Sequence, residues 1–155
     1  MSDVSGMAQR ARAASRQLAV ASASARNAAL EAIATALEAN AQRILAANAE
    51  DVALAAEMVA RGELGEPLLK RLDMSGHKFA STVAMVRSII AQPEPLGETQ
   101  SATQLDEGLT LYRVSVPIGV IGVIFESRPD ALVQIACLCL KSGNAALLKG
   151  GREAA

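Results

Sequence analysis

The sequence predicts an α/β fold in which several helices are followed by a β-hairpin and by the first strand–helix–strand unit of a parallel sheet. Three observations predict this fold class. Apolar residues recur at helical spacing through the first 91 residues. Two extended runs then flank a turn that contains glycine. The last third of the chain holds an apolar run, a helix-length segment and a second apolar run, which is typical of parallel strands joined by a crossover helix.

Helices are predicted wherever apolar side chains recur every three or four residues before Pro93 and Pro95. Asn40 suits both the end of the second helix and the cap of the third, whereas Asn48 leaves open whether the third segment is one helix or two. Ser75 is expected to cap the last helix of this group. The predicted ranges are 3–20, 24–40, 41–61, a short turn at 68–72, and 77–91.

A β-hairpin is predicted between the helices and the last third of the chain. Residues 99–105 and 109–116 are extended runs, and the turn between them, Asp106-Glu107-Gly108, has a length and composition that suit a hairpin. The mixed alternation of the second run indicates a ribbon that is exposed in part. Natural proteins pair or cover such open edges, so a partner for this hairpin is expected.

The last third of the chain is predicted to form strand, helix and strand. Residues 118–125 are apolar throughout, as in parallel strands that are covered on both faces. Pro129 suits the first helical turn, and Gly143 or Asn144 suits a left-handed helix end. Residues 145–148 form the second apolar run. One crossover helix cannot cover both faces of two such strands, so we expect the chain to expose apolar surface or to pair with other chains.

The carboxyl ends of the two predicted strands are expected to form a ligand site. Because parallel strands end at the same edge of a sheet, the turn after the first strand should lie beside the turn after the second. Glycines let a backbone approach a ligand closely and cations favour an anion, so a phosphorylated ligand is expected. The residues at this edge are Glu126, Ser127 and Arg128 in the first turn and Lys149, Gly150, Gly151 and Arg152 in the second.

Two other features receive a purely structural interpretation. The pair Gly119-x-x-Gly122 is not a dinucleotide fingerprint, because its glycines lie at the start of a strand rather than between a strand and a helix. Close packing against a neighbouring backbone is the expected reason for these glycines. His77, the one histidine of the sequence, is interpreted as a surface residue near a helix start rather than as a catalytic group.

Composition excludes several classes of protein. The net charge is −1 with acids and bases mixed along the chain, so no nucleic-acid surface is predicted, and no apolar run reaches the roughly 20 residues of a membrane span. Cys137 and Cys139 lie two apart on one helix, which predicts reduced core cysteines, a reducing cytoplasm and no metal site. The arginine-rich, acid-free residues 7–30 leave a mitochondrial transit peptide open as an alternative.

The strings VPIGVIGVIFESRP, CLCLKSGNAALLKGG, ANAEDV and PEPLGE resemble the gamma-glutamyl phosphate reductases (glutamate-5-semialdehyde dehydrogenases), a family of the aldehyde dehydrogenase superfamily. The resemblance runs from about Leu30 to the end, and the combination of ESRP, LKSGN and KGG is specific. It implies an oxidoreductase that uses NADPH to reduce L-glutamate 5-phosphate, an acyl phosphate, to L-glutamate 5-semialdehyde in L-proline biosynthesis, with release of phosphate.

The resemblance also implies a domain organisation and partners. Residues 1–95 would form an N-terminal helical segment, residues 96–117 a hairpin used for homo-oligomerisation, and residues 118–155 the start of the nicotinamide-dinucleotide-binding domain. The family's nucleophilic cysteine lies well downstream of KGG, so this chain alone is expected to be inactive. Association with glutamate 5-kinase is a further expectation. Another dehydrogenase of the superfamily, or a non-catalytic shortened paralogue used for oligomerisation, remains an alternative.

The resemblance assigns roles to the residues at the sheet edge. Lys149 matches the superfamily lysine that contacts the adenosine ribose of the cofactor, and Gly150 and Gly151, which follow it, are expected to contact the cofactor as well. Arg152 stands where aldehyde oxidisers have a carboxylate, which favours the extra phosphate of NADP. Ser127 is expected to contact the cofactor and Arg128 the acyl phosphate. An ion pair between Glu126 and Arg128 is the competing interpretation.

Overall fold

The computed structural model describes residues 4–151, and this part of the chain has the predicted α/β architecture. Helices precede a hairpin, and a strand–helix–strand unit follows it, so the predicted fold class is confirmed. The elements are α1 (Val4–Val20), α2 (Ala23–Ala39), α3 (Ala41–Ala60), α4 (Glu66–Leu72), α5 (His77–Ala91), β1 (Thr99–Asp106), β2 (Leu109–Val114), β3 (Val120–Ile124), α6 (Pro129–Lys141) and β4 (Ala145–Lys149).

The hydrophobic core lies where α2, α5 and α6 pack against one another. Leu30 of α2, Val86 of α5 and Cys137 of α6 are fully buried there. Burying a leucine or valine side chain stabilises a fold by ~1.5–3 kcal/mol, so this contact holds α6 in place against the N-terminal helices. The buried members of the core are Leu30, Ala34, Met74, Phe79, Val83, Val86, Ile89 and Cys137.

Asn48 does not divide the third helix, because α3 continues through it. Its side chain is buried and bridges α3 to the link between α4 and α5. The Asn48 amide Nδ2 donates to the Leu72 carbonyl at 2.9 Å, and the Met74 amide donates to Asn48 Oδ1 at 2.8 Å. A residue with weak helix propensity is therefore retained in mid-helix because it satisfies two distant backbone groups.

The helix ends agree in part with the sequence predictions. Asn40 does lie between α2 and α3, where its Nδ2 donates to the Ala36 carbonyl at 2.8 Å. The predicted Ser75 cap is wrong, because the N-cap of α5 is Gly76 at φ +64° and no side chain caps this helix. Gly76 adopts this positive φ easily because it has no Cβ, so the chain enters α5 without a side-chain cap.

Two buried cations, Arg26 of α2 and Lys141 of α6, make polar contacts at the ends of the core helices. Arg26 of α2 is buried, and its Nη2 lies 2.6 Å from Glu94 Oε1. The same carboxylate accepts a hydrogen bond from the Leu96 amide at 3.0 Å. The buried ammonium of Lys141, at the end of α6, donates to Asn27 Oδ1 at 2.9 Å and to the Ile90 carbonyl at 3.1 Å. Arg26 is paired with a carboxylate and Lys141 is hydrogen-bonded to neutral oxygens, which offsets part of the cost of burying their charges. These contacts join α2 to the end of α5, to the residues after it and to α6.

The hairpin is present and extends away from the core. β1 and β2 pair antiparallel, with Ala102 opposite Tyr112. Every residue of both strands is exposed, including Leu109, Leu111 and Tyr112. The sequence predicted partial exposure, whereas the described part of the chain covers neither face of the ribbon.

β3 and β4 pair in parallel, from Val120 opposite Ala145 to Ile124 opposite Lys149. α1 contacts both strands and α6 contacts β4. Ile124, the last residue of β3, nevertheless remains 79% exposed, and Ile118, two residues before β3, is 83% exposed. These helices therefore leave apolar surface at both ends of the strand open to solvent, as the composition of this segment predicted.

The glycine pair before and within β3 does not serve the predicted close packing. A Cβ placed on Gly119 or Gly122 would meet nothing within 4 Å among the described residues. Gly119 is instead required by its backbone, which has φ +120°. Its amide donates to Asn144 Oδ1 at 2.7 Å, while Asn144 Nδ2 donates to the Ser142 carbonyl at 2.9 Å, so the end of α6 is fastened to the entry of β3.

Candidate functional site

The two turns that follow β3 and β4 lie side by side at one edge of the parallel pair. Ile124 is the register partner of Lys149, and the Phe125 amide donates to the Lys149 carbonyl at 3.1 Å. Residues 126–128, here termed the Ser127 corner, therefore begin next to residues 149–151, the Lys149 corner. The parallel pairing and the shared edge were both predicted from the order of apolar runs, and both are present.

Ser127 occupies a constrained position in its corner. Its φ of +46° is in the left-handed region, and Ser127 is the one non-glycine residue of residues 4–151 with a positive φ. The residue is only 1% exposed. Non-glycine residues in this region cost ~1–3 kcal/mol and occur preferentially at functional sites. The tight turn carries the chain from β3 directly into α6, a feature that periodicity in the sequence does not report.

Arg128 follows Ser127 and immediately precedes α6. Its Nη2 lies 3.3 Å from Asp130 Oδ2, and both side chains are about half exposed. The competing interpretation, an ion pair such as that with Glu126, therefore holds with a different partner: the carboxylate in the first turn of the helix. An exposed ion pair contributes only ~0–1 kcal/mol, so Arg128 can exchange this partner for a ligand anion at little cost.

Lys149 ends β4 with an exposed ammonium group. Within residues 4–151 it takes part in no salt bridge. A Cβ on the adjacent Gly150 would touch the Phe125 ring at 3.8 Å, an ordinary van der Waals contact, so the ring covers one side of this partly exposed backbone. The corner thus offers an unpaired cation beside a partly exposed backbone. Arg152 lies outside the described residues, and its predicted contact with NADP stays a prediction.

A cleft of about 460 Å³ lies between α4, α5 and the start of α6. Its lining includes Lys70 and Arg71 of α4, His77 and Lys78 of α5, and Arg128 and Asp130. We term this cavity the basic cleft. Sequence reasoning missed it, because α4 and Arg128 are far apart in the chain and no periodic pattern links them. The adjacent cations Lys70-Arg71 were the available signal.

The two cysteines are unsuited to nucleophilic chemistry. Cys137 and Cys139 are both buried and unbridged, as predicted for core cysteines. Burial raises the pKa of each thiol, so the thiolate that a nucleophile requires is disfavoured. The described residues contain no cluster of three or more histidine, cysteine or acidic side chains that could hold a metal ion. Across residues 4–151, no helix is both long and apolar enough to span a membrane.

Comparison with known proteins gives a consistent set of relatives. No protein-family model matches the chain. The gamma-glutamyl phosphate reductase of Natronomonas pharaonis is 54% identical over 144 residues, which cover 93% of this chain and 33% of the relative. That of Haloquadratum walsbyi is 58% identical over 129 residues, covering 83% of this chain and 28% of the relative. The chain thus spans about a third of the length of the curated relatives it matches.

Solved structures agree with the sequence relatives. The crystal structure of gamma-glutamyl phosphate reductase from Saccharomyces cerevisiae superposes with a TM-score of 0.93 at 43% identity, covering 99% of this chain and 38% of that one. The enzyme from Thermotoga maritima superposes with a TM-score of 0.84 at 36% identity, covering 95% of this chain and 34% of that one. The arrangement of helices, hairpin and parallel strands is therefore that of these reductases over the matched region.

Proposed function

We propose that this chain, which is homologous to about a third of the gamma-glutamyl phosphate reductases, contributes to the NADPH-dependent reduction of L-glutamate 5-phosphate to L-glutamate 5-semialdehyde in L-proline biosynthesis. The sequence identity to these reductases supports oxidoreductase chemistry. The observation that carries the specific proposal is the parallel pairing of β3 and β4, which brings the Ser127 corner and the Lys149 corner to one sheet edge. Open α/β sheets bind ligands at this edge.

The Lys149 corner is proposed to hold the adenosine ribose of the cofactor. Lys149 fits this role because its ammonium is exposed and unpaired among the described residues, and the backbone at Gly150 is partly exposed. Ser127 lies in the neighbouring turn and is only 1% exposed, so we propose that it shapes this edge rather than contacting the cofactor directly. Arg152 would bind the 2′-phosphate of NADP, because a guanidinium can donate two hydrogen bonds to phosphate. When bound, the cofactor supplies the hydride.

Arg128 is proposed to hold the acyl phosphate of the substrate. A fixed cation beside a doubly charged phosphate stabilises the charge that this group carries as it leaves. The weak ion pair with Asp130 keeps the guanidinium near the sheet edge without neutralising it permanently. The chain's own cysteines are buried, so we propose that neither is the nucleophile and that the chain alone does not complete the reaction.

The hairpin is proposed to join copies of the chain. Its exposed leucines and tyrosine, together with unpaired strand edges, favour association with a second hairpin. We keep residues 1–95, 96–117 and 118–155 as the proposed helical, oligomerisation and cofactor units. Cytoplasmic location and association with glutamate 5-kinase are part of the same proposal. The exposed hairpin also favours the second candidate, a non-catalytic oligomerisation module.

Binding of NADPH to the chain tests the cofactor site. Replacing Lys149 by Gln removes a charge-assisted hydrogen bond, and we expect the dissociation constant measured by calorimetry to rise about tenfold, or ~1.4 kcal/mol. Arg43→Gln is the matched control, because Arg43 is an exposed cation of α3 without an ion pair in the described part of the chain. An unchanged affinity in Lys149→Gln, or an equal loss in Arg43→Gln, would contradict the proposal.

A further inference from the structure

The basic cleft carries an excess of positive charge on two facing sides. α4 and α5 contribute Lys70, Arg71 and Lys78, and the residues at the start of α6 contribute Arg128 and Asp130. The cleft therefore gathers four permanent cations against one carboxylate. A concave surface of one sign concentrates the electrostatic field and draws small ions of the opposite sign.

The cations of the α4–α5 side are only partly neutralised. Lys78 is tied in place, because its Nζ donates to the carbonyls of Lys70 and Asp73 at 2.7 Å each. Lys70 has one carboxylate within reach, Glu66 at 4.0 Å, and both side chains are highly exposed, so the pair is weak. Arg71 forms no salt bridge to any residue from 4 to 151. Arg71 is thus the cation most available to a ligand.

The size and lining of the cleft suit a small molecule with an apolar middle. Its volume of about 460 Å³ lies within the ~300–1,000 Å³ range of ordinary ligand pockets. Met74 and Met85 contribute apolar side chains to the lining, and Ser81 and Gln134 add polar groups. A short aliphatic chain with an anionic group at each end would match this distribution of charge.

We propose that the basic cleft binds the amino-acid end of the substrate, with Arg71 and Lys70 holding its α-carboxylate while Arg128 holds the acyl phosphate at the other end. This inference rests on the proposed function, since L-glutamate 5-phosphate carries these two anions on a short aliphatic chain. Arg128 belongs both to the sheet edge and to the cleft, which makes it the group that meets the reacting end. Lys70 and Arg71 of α4 line the same cleft, so we assign them the other anionic end. Arg71 and Lys70 would then determine specificity for an amino-acid substrate over a plain aldehyde.

Binding of L-glutamate to the chain tests this inference. We expect backbone amide NMR shifts in α4, at the start of α5 and in the first turn of α6, and a dissociation constant that rises about tenfold in Arg71→Gln. Arg71→Lys, which keeps the charge, should lose less. Arg43→Gln removes the same charge from an exposed helix position outside the cleft and should bind as the unmodified chain does.

4-Aminobutyrate isolates the α-carboxylate, because it is L-glutamate without that group. It should bind more weakly than L-glutamate, and Arg71→Gln should weaken it no further. Inorganic phosphate should shift the amides near Arg128 rather than those of α4. Equal binding of L-glutamate and 4-aminobutyrate, or unchanged L-glutamate binding in Arg71→Gln, would overturn the inference, as would the absence of L-glutamate binding by a chain whose amide spectrum is that of a folded protein.

The same samples separate this inference from the proposed function. NADPH binding depends on Lys149 and should be unaffected by Arg71→Gln. Loss of NADPH binding with intact, Arg71-dependent L-glutamate binding would count against the cofactor site alone. Normal NADPH binding with Arg71-independent L-glutamate binding would count against the basic cleft alone.

Discussion

At the scale of single residues, the strongest constraints come from side chains whose partners lie far away in the sequence. Asn48 satisfies a donor and an acceptor of the α4–α5 link, and Asn144 joins the end of α6 to the entry of β3. Both asparagines are buried, where an unmade hydrogen bond is expensive. They hold the elements that carry the basic cleft and the sheet edge.

Replacing Asn48 by Ala is expected to lower the free energy of unfolding by ~2–3 kcal/mol. The change leaves the Leu72 carbonyl and the Met74 amide without their partner in a buried region. Urea denaturation measures the effect. Asn40→Ala is the control, because the Asn40 side chain donates one exposed hydrogen bond, to the Ala36 carbonyl, and its loss should cost less than ~1 kcal/mol. Equal losses in the two variants would contradict the bridging role of Asn48.

Replacing Gly143 by Ala tests the turn that ends α6. Its φ is +69°, and a Cβ there would lie 2.8 Å from Leu96 Cδ1 and 3.0 Å from Pro117 Cγ. Backbone strain and overpacking together should lower the free energy of unfolding by ~2–4 kcal/mol.

Gly62→Ala is the matched control for this steric effect. Gly62 has φ +74° but nothing within 4 Å of the added Cβ, so only the backbone cost of ~1–2 kcal/mol should appear. Thermal and urea denaturation of the two variants measure the difference. A Gly62→Ala loss as large as that of Gly143→Ala would show that the backbone conformation alone accounts for both.

The role of a residue could be predicted from the sequence only where its neighbours in the sequence determine that role. Cys137 and Cys139 were interpreted as core residues from their spacing, and burial agrees. For Arg128 the sequence offered an acyl-phosphate contact or an ion pair such as that with Glu126; the structure has an ion pair, but with Asp130, and the backbone geometry of this turn is invisible in the sequence. Asn48 leaves the choice between one helix and two open in the sequence, since its distant partners are equally invisible.

At the scale of elements, hydrophobic periodicity was sufficient for the helices and strands. The observed ends differ from the predicted ones by at most two residues, as at the start of α4, the end of β2 and the start of β3. At β3, Gly119 with φ +120° precedes the first residue of the strand. The hairpin was predicted by its turn residues, but its complete exposure was not, because exposure depends on what the rest of the molecule covers.

The hairpin should control self-association of the chain. Leu111 is exposed in the middle of β2, and burying a leucine in an interface contributes ~1.5–3 kcal/mol. Leu111→Glu is therefore expected to raise the dimer dissociation constant, measured by sedimentation equilibrium, by at least about tenfold.

Gln104→Glu introduces the same charge on β1 at a position that is already polar and exposed, and should have a smaller effect. Identical sedimentation of Leu111→Glu and the unmodified chain would contradict oligomerisation through the hairpin. A chain that is monomeric at every concentration would do the same.

At the scale of the whole molecule, chain connectivity predicted the sheet edge but not the basic cleft. Two parallel strands that are paired in register end at the same edge of a sheet. The proximity of the Ser127 and Lys149 corners could therefore be predicted from the order of the strands. The cleft depends on how α4 and α5 are placed relative to the start of α6. This tertiary arrangement is not reported by any periodic pattern in the sequence. The proposed nucleotide site and the proposed amino-acid site thus meet at Arg128, which belongs to both.

The central claim is that the two corners form one nucleotide site. Hydrogen–deuterium exchange of the chain with and without NADPH tests it most directly, because a bound nucleotide slows amide exchange where it covers the backbone. We expect protection to rise together in residues 126–128 and 149–151 and to stay unchanged in the hairpin strands β1 and β2. Protection of one corner without the other, or protection confined to another part of the chain, would contradict the claim.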